Sequence, residues 1–138
     1  MVYSIILLLS RKPSVTWAEF KHYWETQHMP LLKQLVGHDF PLSHTRHYLE
    51  LNEEGRPNVE IGSPEGIDYD GLAVLTFWNK DHCARFMKKL QDGEKHDIHA
   101  RSLDQFVDVG RLRGFTVGQT SSTGRDGGAV GWRFVGSV

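Results

Sequence analysis

The chain has 138 residues, 39% of them apolar and 11% aromatic, with a formal net charge of -1. That is the length of one ordinary domain with enough apolar content for a core, which excludes both a disordered chain and a pair of full domains. No run of like charge stands out, so nothing recommends nucleic acid or a membrane surface as a partner.

Cys83 is the only cysteine, so no internal disulfide can form, and a reducing, cytoplasmic setting is expected. The first element is the apolar run Val2–Ser10. It has the apolar character of a signal peptide, but no charged residue precedes it, Arg11-Lys12 follows it, and no small-residue cleavage site comes after. It is also far shorter than the roughly 20 residues that span a bilayer. It is predicted to be a strand buried on both faces.

Thr16-x-x-Glu19 is a capping box and predicts a helix start. Trp17, Phe20, Trp24, His28, Leu31 and Leu35 follow at helical spacing on one face. Pro30 lacks the N–H that a helix interior needs, so a kink or restart is expected near Met29, with a stop at Gly37. Ser43–Leu51 is the second predicted strand. Thr45, His47, Leu49 and Leu51 would share the more apolar face, and His44, Arg46, Tyr48 and Glu50 the other. Asn52–Tyr69, punctuated by Gly and Pro, is a long loop of the kind that often serves as a lid.

Gly71–Trp78 is the third strand, with Leu72, Val74 and Trp78 on one face and Ala73, Leu75 and Phe77 on the other. Asn79 or Asp81 would cap a helix carrying Cys83, Phe86, Met87 and Leu90. Gly93 would interrupt it before a short helix over 94–105. Phe106–Val117 is the fourth predicted strand, with a bulge expected at Gly110 or Gly114. Residues 1–118 would form the domain. Residues 119–138 would be a Gly/Ser-rich linker followed by an arm, Val130–Val138, that docks on the domain or a partner or stays partly disordered.

The order is β-α-β-β-α-β, an α+β fold with a four-stranded sheet. Two helices can cover one face of that sheet. The first and third strands are apolar on both faces, so the second face needs a cover as well. A second copy of the chain, packed sheet to sheet, is the expected cover; the tail or the long loop is the alternative.

The segments Arg11-Lys12-Pro13, Thr16-Trp17-Ala18-Glu19-Phe20, Tyr23-Trp24 and Gln27-His28-Met29-Pro30-Leu31, with the later Arg46-His47-Tyr48, resemble the EthD-domain family of the dimeric α+β barrel superfamily. The likeness spans about residues 1–118, and Phe40-Pro41-Leu42-Ser43-His44 onward resembles the fungal polyketide-pathway type. It implies a homodimer of ferredoxin-like protomers, each with a pocket between sheet and helices. It also implies chemistry on an aromatic or polyketide-derived small molecule without a cofactor: dehydration, decarboxylation, ring closure or oxygenation.

Of eight histidines, His28 is the leading acid–base candidate because it lies on the inward helix face. His47 is expected toward a buried space and His44 elsewhere, since the opposite faces of one strand cannot serve one cavity. Tyr23 and Tyr48 are candidate donors to a substrate oxygen. Trp24, Phe40, His44, Trp78 and Phe106 are candidate walls for an aromatic ligand. Each of these has a plain structural role as its competitor.

His96-x-x-His99 has metal-like spacing but no nearby partner pair, so no metal is expected. Cys83 on an apolar helix face should simply pack. The sequence carries no Walker A motif, no Gly-rich dinucleotide fingerprint and no Gly-x-Ser-x-Gly. The leading reading is a cofactor-independent lyase, cyclase or isomerase of secondary metabolism. A cofactor-free oxygenase, a non-catalytic carrier or accessory protein, and a haem binder are the alternatives.

Overall fold

The computed structural model describes residues 2–128. Four strands, β1 (Tyr3–Leu9), β2 (Ser43–Tyr48), β3 (Gly71–Phe77) and β4 (Arg113–Thr116), form one antiparallel sheet in the order β2-β3-β1-β4. The two most apolar strands are thus central, where both faces can be sheltered. Helices α1 (Trp17–Tyr23), α2 (Met29–Val36), α3 (Lys80–Leu90) and α4 (Gly93–Phe106) complete a ferredoxin-like α+β fold.

Local chemistry explains the first helical arm. Thr16 accepts from the Glu19 N–H, and the Glu19 carboxylate accepts from the Thr16 N–H, so the capping box is complete. A π-helical segment, Trp24–His28, joins α1 to α2. Pro30 lies in the first turn of α2, where its missing N–H costs least. The expected restart near Met29 is therefore present, in the form of a widened turn. Gly37 ends α2 with φ +56°, a conformation that other residues rarely adopt.

The core lies between the sheet and the helices. Phe20, Trp24, Phe77 and Phe106 are fully buried there, with Leu9, Leu75 and Val36. Phe106 packs against Phe20, Tyr23 and Trp24. Each such side chain contributes roughly 1.5–3 kcal/mol of apolar burial.

Three boundaries differ from the sequence reading. β2 ends at Tyr48, so Leu49 and Leu51 are not part of its face; Leu51 instead bridges Pro57. Phe106 closes α4 and does not open β4. His99, Ser102 and Phe106 sit at helical spacing, and that pattern extends the helix past the expected end. Residues 106–108 do run beside residues 10–12, through Lys12 N–H to Phe106 O and Asp108 N–H to Ser10 O. A 3₁₀ turn, Val109–Arg111, then delays β4 to Arg113, and Gly114 pairs in register with Leu7 without a bulge.

The long loop is tied to the end of β1. Arg11 donates to the Asp70 carboxylate from its backbone N–H (2.8 Å) and from Nε (3.2 Å), and Ser10 Oγ donates to Asp68 O. Asp68 also pairs with Arg111. The expected arm, Val130–Val138, lies outside the described residues.

Candidate active site

A cavity of about 450 Å³ lies between the sheet and the helices, within the size range of small-molecule sites. Its sheet wall comes from Tyr3, Ile5, Leu7 and Leu75, and its helix wall includes Leu32, Phe86 and Leu103. Among the described residues, no Lys, Arg, Asp or Glu lines it. Its nitrogen-bearing polar side chains are His28, His44 and His99, with the Trp24 indole beside them. No residue of the loop 49–70 reaches it, so that loop is not its lid.

His28 is delivered by the π-helical segment. The freed i−4 position ahead of Pro30 widens the turn, and such bulges often sit at functional sites. From this one turn, Trp24 enters the core and the cavity wall, Glu25 reaches β2, and His28 faces α4. His28 is 4% exposed, and its Nδ1 is 2.8 Å from Ser102 Oγ. Tyr23 Oη stands 3.4 Å from the same Oγ. His28 Nε2 has no hydrogen-bond partner among the described residues. Burial, then the neighbouring His99 and His44, pushes the His28 pKa down to about 3.

His44 comes from β2, whose even-numbered residues point toward the helices. His44 pairs with Leu75, and Arg46 with Ala73. Arg46 Nη1 donates to His44 Nδ1 (3.0 Å) and to His44 O (2.9 Å). Arg46 is itself held by Glu25, through Nε to Oε2 (2.6 Å) and Nη2 to Oε1 (3.2 Å). Tyr48 Oη also donates to Glu25 Oε2, at 2.5 Å. The Arg46 guanidinium and the Tyr48 hydroxyl favour the Glu25 carboxylate and lower its pKa against the opposing effect of burial. Burial and the Arg46 charge hold the His44 pKa near 4. Burial, then the Glu25 contact, raises the pKa of Tyr48. His99 on α4 packs 5.3 Å from His28, centroid to centroid, and burial lowers its pKa as well. At neutral pH the three cavity imidazoles are therefore neutral, each ring carrying one N–H and one lone pair.

The placement of the sequence candidates is mixed. His28, Trp24 and His44 meet at the cavity. His47 does not: it lies exposed on the opposite face of β2, which reverses the expectation for His44 and His47. The cause is that the inward face of β2 buries a polar network, so its hydropathy pattern is misleading. Tyr23 stands behind His28, and Tyr48 is occupied by Glu25. Phe106 packs directly on the His28 ring, at 5.2 Å, as support and not as cavity wall. Phe40 lies beyond α2, after a 3₁₀ turn over Gly37–Asp39, and its carbonyl accepts from His82 Nε2. Trp78 is 65% exposed, on the outer face of the sheet.

The sequence reading missed Ser102, Glu25 and Arg46 as partners of the cavity histidines. It took His99 only as half of a metal-like pair. The i, i+3 spacing of His99 and Ser102, with Phe106 a turn later, was the available signal for a helix face turned inward. Cys83 does face the cavity, but burial raises its pKa, which disfavours the thiolate. Among the described residues, no three His, Cys, Asp or Glu side chains converge as metal ligands. Among the same residues, no helix is long and apolar enough to cross a membrane.

Solved structures share this fold. An EthD (ethyl tert-butyl ether D) family protein from Bacillus halodurans superposes with a TM-score of 0.55 at 12% identity, covering 87% of this chain and 100% of its own. A protein from Arabidopsis thaliana gives 0.57 at 16% identity, over 88% of this chain and 98% of its own. SnoaB, a cofactor-independent oxygenase from Streptomyces nogalater, gives 0.51 at 11% identity, over 88% and 95%. These likenesses define the class, a ferredoxin-like α+β domain. The EthD domain family matches residues 12–110, and the chain belongs to that family. No curated protein is similar enough in sequence to count as a relative.

Proposed function

We propose that this protein is an enzyme that enolises an uncharged aromatic or polyketide-derived ketone and needs no bound cofactor to do so. The observation that carries this reading is one apolar cavity into which, among the described residues, three neutral imidazoles converge. Such a wall suits a flat, uncharged ring system, while the imidazoles orient its oxygens.

In this reading, His28 Nε2 takes a proton from the carbon beside the substrate carbonyl. The C–H electron pair becomes the enolate double bond, and the negative charge goes to oxygen. His44 donates a hydrogen bond to that oxygen. His28 is a weak base when the cavity is empty, because a lone buried charge is penalised. The imidazolium formed next to an enolate is not alone, and the pair is neutral overall. A β-hydroxyl can then leave as water with the proton from His28, or the enolate carbon can attack a second carbonyl and close a ring, the carbonyl oxygen taking the proton from His28 as it becomes a hydroxyl. A carboxylate substrate fits less well, since among the described residues no Lys or Arg lines the wall.

A second copy of the chain is part of the proposal. The outer face of β1 and β3 carries half-buried Ile6, Leu8, Leu72 and Val74, flanked by Phe115 at 49% exposure. A like face is the economical partner for such a surface. The runner-up reaction is oxygenation, favoured by the likeness to SnoaB. In that reading the same enolate would be oxidised by molecular oxygen, and turnover would consume oxygen.

Solvent deuterium exchange into 2-tetralone, followed by proton NMR, tests the proton transfer directly. Wild-type protein should accelerate exchange at the carbon next to the carbonyl. His28→Ala should lose about 10²–10⁴-fold of that rate, the usual worth of one acid–base group. Full exchange in His28→Ala would remove His28 from the mechanism.

A further inference from the structure

Arg46 makes an unusual contact. A guanidinium has only donors and stays charged in proteins, so any hydrogen bond it makes to a ring nitrogen must end on a lone pair. Its Nη1 lies 3.0 Å from His44 Nδ1, and its second Nη1 hydrogen serves His44 O at 2.9 Å. In the neutral ring, one nitrogen accepts and the other carries the proton. With Nδ1 accepting from Arg46, the proton belongs on Nε2.

The guanidinium is not free to leave. Glu25 grips it with both carboxylate oxygens, and Tyr48 holds one of those oxygens in turn. Glu25 sits on the same π-helical segment as His28. Trp24, beside it, packs edge-on against both His44 (6.2 Å) and Tyr48 (5.6 Å), which limits how far the His44 ring can turn.

We propose that Arg46 is a positioning residue that fixes His44 in the Nε2–H tautomer, so that the cavity always meets His44 as a donor. Glu25 and Tyr48 hold Arg46 in place for that task. One turn of helix thus sets both partners, His28 directly and His44 through Glu25 and Arg46. The substrate oxygen then finds a hydrogen bond already aimed at it, with no tautomer to select at the moment of reaction. The proposal rests on the reading of His28 and His44 as the working pair, yet its test needs no substrate.

The measurement is two-bond ¹H–¹⁵N correlation NMR of the imidazoles in the full-length protein at neutral pH, with His44 assigned by comparison with His44→Gln. Wild type should show Nε2 protonated and Nδ1 bare. Arg46→Met, which keeps length but has no donor, should give a mixture of tautomers or the opposite one. Arg46→Lys, which keeps a donor, should restore much of the wild-type pattern. Backbone spectra report whether each variant is folded. An Nδ1–H tautomer in wild type overturns the proposal without any variant. So does a folded Arg46→Met protein with the pattern unchanged. If the tautomer behaves as stated while His44→Gln exchanges 2-tetralone at the wild-type rate, the positioning role stands and the catalytic reading of His44 falls.

Discussion

Burial governs how His28 and His44 respond to acid. The folded chain keeps His28 neutral down to about pH 3, whereas an exposed histidine takes up a proton near 6.5. Between those values the unfolded chain binds more protons, so stability falls as the pH is lowered through that window, by about 1.4 kcal/mol per pH unit for this group. Above pH 6.5 both states are neutral and the effect is level. His44 adds a similar dependence, ending near pH 4. Urea unfolding at pH 7 and pH 4.5 should therefore show a loss of roughly 2–3 kcal/mol traceable to His28. In His28→Leu, the difference between the two pH values should shrink by about that amount. An unchanged difference would mean that His28 is solvated in the folded chain. None of this can be seen from the histidine count. Of eight histidines, His28 is buried against the cavity, and His82 is buried for a structural reason, with Nε2 bonded to the carbonyls of Asp39 and Phe40.

The elements explain what the sequence could and could not tell. The capping box at Thr16, the restart after His28, the stop at Gly37 and the cap at Asn79 all rest on local hydrogen bonds between near neighbours, and all are present. The inward face of β2 depends on register against β3 and on an ion-paired network that replaces hydrocarbon, so alternation of hydropathy pointed the wrong way. The strand–helix boundary at Phe106 depends on the packing of that ring against Trp24 and His28, which is long-range. Two substitutions probe this level. Thr16→Ala should cost about 1 kcal/mol in a thermal or urea melt while leaving exchange of 2-tetralone unchanged. Gly71→Ala places a Cβ where Trp24 Cζ3 would stand 2.9 Å away, so the indole must shift. It should cost about 1–3 kcal/mol and also perturb the cavity, read as a lower melting temperature together with a slower exchange rate.

For the whole molecule, the sheet divides the labour. Its inner face makes the cavity, and its outer face is rich in Ile, Leu and Val that the described residues leave half-exposed. Both properties were visible in β1 and β3, whose apolar residues fall on alternate sides. Sedimentation should report a dimer, and Val74→Lys on the outer face should shift it toward monomer, since a lysine there would be buried without a partner. A stable wild-type monomer would place the cover elsewhere. The proposed chemistry depends on the inner face alone, and a crystal soaked with 2-naphthol tests that dependence most directly. The ring system should lie in the cavity between sheet and helices, with its hydroxyl in hydrogen-bond reach of Nε2 of His28 or of His44. A naphthol bound elsewhere on the protein, with the cavity empty and exchange of 2-tetralone still inhibited, would contradict the account.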